Sequence, residues 1–127
     1  MSPKDALLAE WDQEMAGTRK TLASIPDGQH EWAPHAKSMK LGKLGAHLAS
    51  MGMWAQLACE TDVYDAAKLT LNWTLRAGPR EIFSRPRAVV LRSFVMNHMI
   101  HHRAQLTVYL RLLDVKVPGL YGPTADD

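Results

Sequence analysis

Three histidines fall within the six residues Asn97-His98-Met99-Ile100-His101-His102, in a chain that contains six in all. On an α-helix, residues four apart lie one turn apart on nearly the same face, so His98 and His102 offer two imidazoles to one point. Helical zinc sites use that pairing. His101 points further round, by about 60° from His98, and reads as an outer partner of such a site or as a surface group beside a carboxylate. A third imidazole, His47, sits beside the apolar run Leu44, Leu48 and Met51 and so faces the interior of a helical bundle. Buried imidazoles without partners cost free energy. One divalent cation held by His47, His98 and His102 satisfies all three and keeps positions open for water or substrate. The plainer alternative is that each is a core histidine with an ordinary hydrogen-bond partner.

The neighbours carry two readings each. Arg103 is a solvated charge or the holder of an anionic ligand. Gln105 is a polar helix-side residue or a hydrogen-bond donor near the metal. Tyr109 is a core residue or a phenolic donor two turns from the ion. Glu14 reads better as a solvated glutamate than as a ligand from the first helix. His30 and His35 fall in a loop and are expected to be exposed. Cys59 lies twelve residues from His47, about 18 Å along one helix, and reads as a small core residue. A single cysteine forms no internal disulfide and suits a reducing, cytoplasmic setting.

Helices must position these groups. Ser2-Pro3-Lys4-Asp5 is a helix start, and Leu8, Trp11, Met15, Thr18, Leu22 and Ile25 trace one face of a helix over roughly residues 3–24. Ile25-Pro26-Asp27-Gly28 ends it. Residues 26–38 read as a loop packed by Trp32 and Pro34. Ser38 is placed to cap a second helix running to about Glu60, with Leu44, Leu48, Met51, Ala55 and Ala58 as its stripe, Trp54 at the edge, and Gly42, Gly45 and Gly52 allowing close approach. Leu69 to Leu75 alternates as a strand does, Ala77-Gly78-Pro79 marks a turn, and Glu81-Ile82-Phe83 is able to pair back as a loose hairpin. Pro86 opens the last long helix, about residues 86–113, with Val95, Met99, Leu106, Leu110 and Leu113 inward. Asp114 is placed for the left-handed position after it, and Tyr121 for folding back over the bundle.

At 127 residues the chain supports one domain, residues 1–127. With 46% hydrophobic and 22% charged residues it is globular rather than disordered. No apolar run approaches the roughly 20 residues of a membrane span, and the early acidic residues do not suit a secretory signal. A formal charge of +2 is too weak to imply nucleic acid. Arg80, Arg85, Arg87, Arg92 and Arg103 raise that possibility, but acidic residues nearly balance them and no recognition helix is apparent.

The run Asn97-His98-Met99-Ile100-His101-His102-Arg103-Ala104-Gln105, continuing to Arg111, the tail Val117-Pro118-Gly119-Leu120-Tyr121-Gly122-Pro123, and the stretch from Trp32 to Leu48 together resemble the DinB-like superfamily. The resemblance implies an all-α, DinB/YfiT-like, up-down helical bundle. It carries the family's metal triad onto His47, His98 and His102, with zinc or nickel as the ion; Arg103, Gln105 and Tyr109, read above from their place near the histidines, are the candidate cofactor-binding residues. It further implies a metal-dependent thiol S-transferase or hydrolase that uses a low-molecular-weight thiol such as bacillithiol or mycothiol. The alternative is a noncatalytic, metal-stabilised module that packs as a dimer or binds a partner. Ala104 and Asp114 stand where the family usually has glycine. Between Cys59 and Leu69 the chain is too short for the family's third helix. The face this exposes is expected to be covered by a second subunit, giving a homodimer, or by the Leu69–Phe83 segment.

Overall fold

The computed structural model describes residues 2–59 and 69–127. Helix α1 (Pro3–Ala23) starts as the sequence indicates. Ser2 is the N-cap, its hydroxyl accepts from the Asp5 amide, and the Asp5 carboxylate accepts from the Ser2 amide in return. The buried face of α1 runs through Leu7, Trp11, Met15 and Leu22, whereas Leu8, assigned to that face from its spacing, is 44% exposed.

The second rod is shorter and broken. Helix α2 (Leu41–Ala49) and helix α3 (Met51–Cys59) meet at Ser50. Its amide donates to the carbonyls of both Ala46 and His47 and its hydroxyl donates to the His47 carbonyl at 2.7 Å, a competition for helix carbonyls that bends helices. Ser38 does not cap α2. Lys40 holds that position without a side-chain cap. The carbonyls of Trp32 and His30 instead take the orphan amides of Leu41 and Gly42, at 2.8 and 2.9 Å. The loop thus presses on Gly42, where an added Cβ would lie 2.9 Å from that of His30. Trp32 packs on the core while Pro34 is exposed.

Strands β1 (Asn72–Ala77) and β2 (Arg80–Pro86) pair antiparallel, with Leu75 opposite Phe83 and an irregularity after Leu75. The two-residue turn places Gly78 at φ 60°, which glycine adopts without strain. The fold is therefore mainly helical with a small two-stranded sheet, which corrects the all-α expectation. The hairpin survives because it packs: Trp73 and Phe83 lie against Ala58, Val90 and Leu91. Of the two covers expected for this region, the chain's own Leu69–Phe83 segment provides one.

Helix α4 (Arg87–Val89), a π-helical segment (Val90–Met96) and helix α5 (Asn97–Leu112) follow without a break. The sequence suggested one α-helix here. In the π turn the Asn97 amide donates to the Arg92 carbonyl five residues back, and the Arg92 guanidinium donates to Asn97 Oδ1 at 2.6 Å and pairs with Glu10 at 3.0 Å. Residues five apart face different sides of an α-helix, so this bond requires the wider turn. Val95 and Met96 are both buried as a result. Leu41, Leu44, Leu48, Met99, Leu106 and Leu110 make the main core where α2 meets α5. Each contributes about 1.5–3 kcal/mol by leaving water.

Beyond α5, Asp114 has φ 57° and the Val115 amide donates to the Leu110 carbonyl at 2.9 Å, a Schellman ending with an aspartate at the glycine position. Asp114→Gly is expected to raise stability by about 0.5–1 kcal/mol through relief of the left-handed backbone, read as a higher urea midpoint at unchanged slope. The tail then returns along α5. Arg111 grips Asp126 with two bonds of 2.9 and 2.7 Å, and the same carboxylate accepts from the Val117 amide at 2.9 Å. The guanidinium first, and then that amide, hold the Asp126 carboxyl down to about 2.

Candidate metal centre

The break at Ser50 and the start of regular α-helix at Asn97 fix where the imidazoles meet. His47 lies in the last turn of α2, against the first turns of α5. His98 and His102, in phase on α5, point their Nε2 atoms at one another, 2.9 Å apart. The His47 ring closes the third side, with ring centroids 4.5 Å from His102 and 5.6 Å from His98. One donor atom from each of the three lies within 4.8 Å of the others. Tetrahedral zinc with bonds of about 2.0–2.1 Å sets its donors about 3.3 Å apart, so small ring movements bring all three to one ion. Two rods are needed because one helix face supplies only the i, i+4 pair.

Gln105 settles the tautomer of His102. Its Oε1 accepts from His102 Nδ1 at 2.8 Å, which leaves the Nε2 lone pair facing the common point, the arrangement that orients metal-binding histidines. Burial lowers the pKa of His47, helped by the nearby His102 and Lys43. Burial likewise lowers that of His98, with His102, His47 and His101 adding to the effect. Neutral imidazole is the form that binds a metal. Phe94 stands 5.5 Å from the His98 ring and Trp54 stands 5.7 Å from Phe94, so one side of the triad is walled by aromatic rings.

The other residues singled out from sequence lie as follows. His101 is exposed, with its ring 5.0 Å from His102. His30 and His35 are exposed. Gln105 accepts a hydrogen bond from a triad member, where the sequence suggested that it donates one. Tyr109 is buried, donates to the Met39 carbonyl at 2.9 Å and meets Trp32 edge-on. Its hydroxyl thus holds the loop before α2.

Arg103 turns to α1 instead of the triad. It is 2% exposed and pairs with Glu14 at 2.6 Å, whose side chain is itself only 7% exposed. It also donates to the Glu14 carbonyl at 2.9 Å and to the Tyr121 hydroxyl. That hydroxyl donates to Glu14 Oε2 at 2.6 Å. The Tyr121 ring lies in solvent, but its hydroxyl end is turned in, and burial together with the bond to Glu14 pushes the phenol up. Glu14 is therefore a buried partner rather than a solvated charge. Its position between Trp11 and Thr18, inside the apolar stripe, was the available signal. Arg87 and Arg92 likewise have protein partners, the Ala58 carbonyl and Glu10. Among the described residues no helix is long and apolar enough to cross a membrane.

Comparison with known proteins agrees with this architecture. The model of the family described as "DinB family" matches residues 54–127, a span that includes His98 and His102. The uncharacterized protein YrdA of Bacillus subtilis (strain 168) is 26% identical over an alignment spanning 151 positions, which takes in 97% of this chain and 90% of that protein. The crystal structure of a DinB-like protein from Bacillus cereus ATCC 10987 superposes with a TM-score of 0.71 at 18% identity, over 92% of this chain and 97% of that one, a likeness of fold.

Proposed function

The chain belongs to the DinB family, and from that premise we propose that His47, His98 and His102 hold one divalent ion, zinc or nickel, at the centre of a thiol-transferase or hydrolase site. The observation that carries the reading is the convergence of three imidazole donors from two separate rods within 4.8 Å. When bound, the ion supplies Lewis acidity, which lets a thiol or a water lose its proton near neutral pH. The chain's own residues do the rest. The three imidazoles hold the ion and, with only three protein ligands, keep a position open. Gln105 fixes the His102 ring and its tautomer. Phe94 and Trp54 keep water from one flank. The nucleophilic sulfur is supplied by a small thiol, as the family resemblance implies.

Metal analysis of untagged protein tests the assignment. One equivalent of divalent metal is expected in the parent chain and well below one in His47→Ala, because two imidazoles on one helix make a weaker site than three from two rods. A parent chain that takes up no metal from an excess of zinc or nickel would end the reading. Thiol-dependent turnover across a panel of electrophiles, present in the loaded protein and absent in the variant, supports the catalytic half.

A further inference from the structure

The hairpin and the π-helical segment border an open pocket of about 230 Å³ lined by Phe83, Arg85, Val90, Ser93 and Phe94. Its walls are aromatic and aliphatic. Phe83 and Phe94 meet edge to face with centroids 5.1 Å apart. The lining has one charged group, Arg85, whose Cζ lies 5.5 Å from the centroid of the Phe83 ring. Among the described residues no carboxylate pairs with that guanidinium, in contrast to Arg76, Arg92, Arg103 and Arg111. The Ser93 hydroxyl donates to the Val89 carbonyl at 2.6 Å. The pocket thus combines apolar walls with one cation that lies over an aromatic ring and has no carboxylate partner among the described residues.

We infer that this cavity binds a small aromatic molecule bearing an anionic group, its ring packed on the wall that Phe83 and Phe94 form together and its carboxylate at Arg85. Size restricts the ligand. Pockets for drug-sized molecules run from about 300 to 1,000 Å³, so this one suits a single ring with a short substituent. Charge restricts it further, since a guanidinium with no acidic partner favours a carboxylate over a neutral or cationic group. The cavity also adjoins the triad. Phe94 lines it and at the same time contacts the His98 ring at 5.5 Å, so a ligand there sits one ring away from the imidazoles. The pocket belongs to the site through the π-helical segment, which carries Val90, Ser93 and Phe94, and such segments recur at functional sites. That the ligand is the acceptor of the reaction rests on the metal reading; that it binds does not.

Calorimetric titration of the full untagged chain with benzoate, benzyl alcohol and acetate tests this. Benzoate is expected to bind at least about tenfold more tightly than either, since one lacks the charge and the other the ring. Arg85→Gln, a change on the exposed hairpin, is expected to remove the advantage over benzyl alcohol while leaving the melting curve in place. His47→Ala, which leaves the contact between Phe94 and His98 in place, is expected to leave benzoate bound through Arg85. Equal binding of benzoate and benzyl alcohol by the parent, or no binding of benzoate, would overturn the inference. Benzoate lost in His47→Ala but kept in Arg85→Gln would overturn it as well, because the carboxylate would then sit at the imidazoles. Metal content, measured separately, shows which reading has failed: a chain that loads metal but ignores benzoate loses only the pocket, and one that binds benzoate through Arg85 but takes no metal loses only the metal site.

Discussion

Alanine at His102 is expected to weaken divalent-metal binding by at least about 100-fold, since losing merely the hydrogen-bond partner behind a ligating histidine costs about 10–100-fold. His102 is the pivot of the triad. It is the most buried of the three, it lies nearest His47, and it alone is oriented by Gln105. The clearest readout is thermal. Metal at about 1,000 times its dissociation constant adds about 4 kcal/mol to the parent chain, which for a domain of this size is roughly 15 °C in Tm. His102→Ala is expected to keep at most about a third of that rise while its metal-free Tm stays close to the parent's. Gln105→Ala should fall between them, about tenfold weaker in metal, because the ligand remains but its tautomer is no longer fixed. An equal metal-induced rise in parent and His102→Ala would remove the triad from the account.

The second large effect is expected away from the triad. Arg103→Met leaves the Glu14 carboxylate enclosed beside α5 with the Tyr121 hydroxyl as its remaining side-chain partner among the described residues. Breaking a buried ion pair from one side costs about 3–5 kcal/mol, roughly 10–20 °C in Tm here. Glu14→Met should cost a similar amount by stranding the guanidinium. The double variant Glu14→Met/Arg103→Met is expected to recover most of the loss, since apolar replacement of both partners is often neutral. Metal affinity should change little in any of the three, because Arg103 faces α1. Arg103→Met at parental stability would show that water reaches the pair. Single losses that simply add in the double variant would show that the two groups do not interact.

Much of this site was legible in the sequence. The 3.6-residue period placed His102 inside the stripe of Val95, Met99 and Leu106, and that stripe is buried. The left-handed place of Asp114 and the pairing of Leu75 with Phe83 follow from turn chemistry and alternation, both local signals. What escaped was not local. The caps of α2 are carbonyls of Trp32 and His30, backbone groups that every residue carries. The π turn depends on a bond from Arg92 to Asn97 and a pairing with Glu10, whereas periodicity assumes a constant turn. The all-α expectation weighed the helices and the resemblance above a hairpin already visible in the pattern. Arg103 was drawn to the triad by its place beside His102, but adjacent residues on a helix diverge by about 100°, and that angle sends it to Glu14.

The bond from Tyr121 to Glu14 joins residues 107 positions apart. As a ribosome adds about 5–20 residues per second, some 5–20 s separate the appearance of this acid from that of its phenolic neighbour. For most of that interval, until Arg103 is made, the acid lacks the cation that pairs with it in the folded chain. The acid finds its full set of partners only when the far end of the same polypeptide arrives.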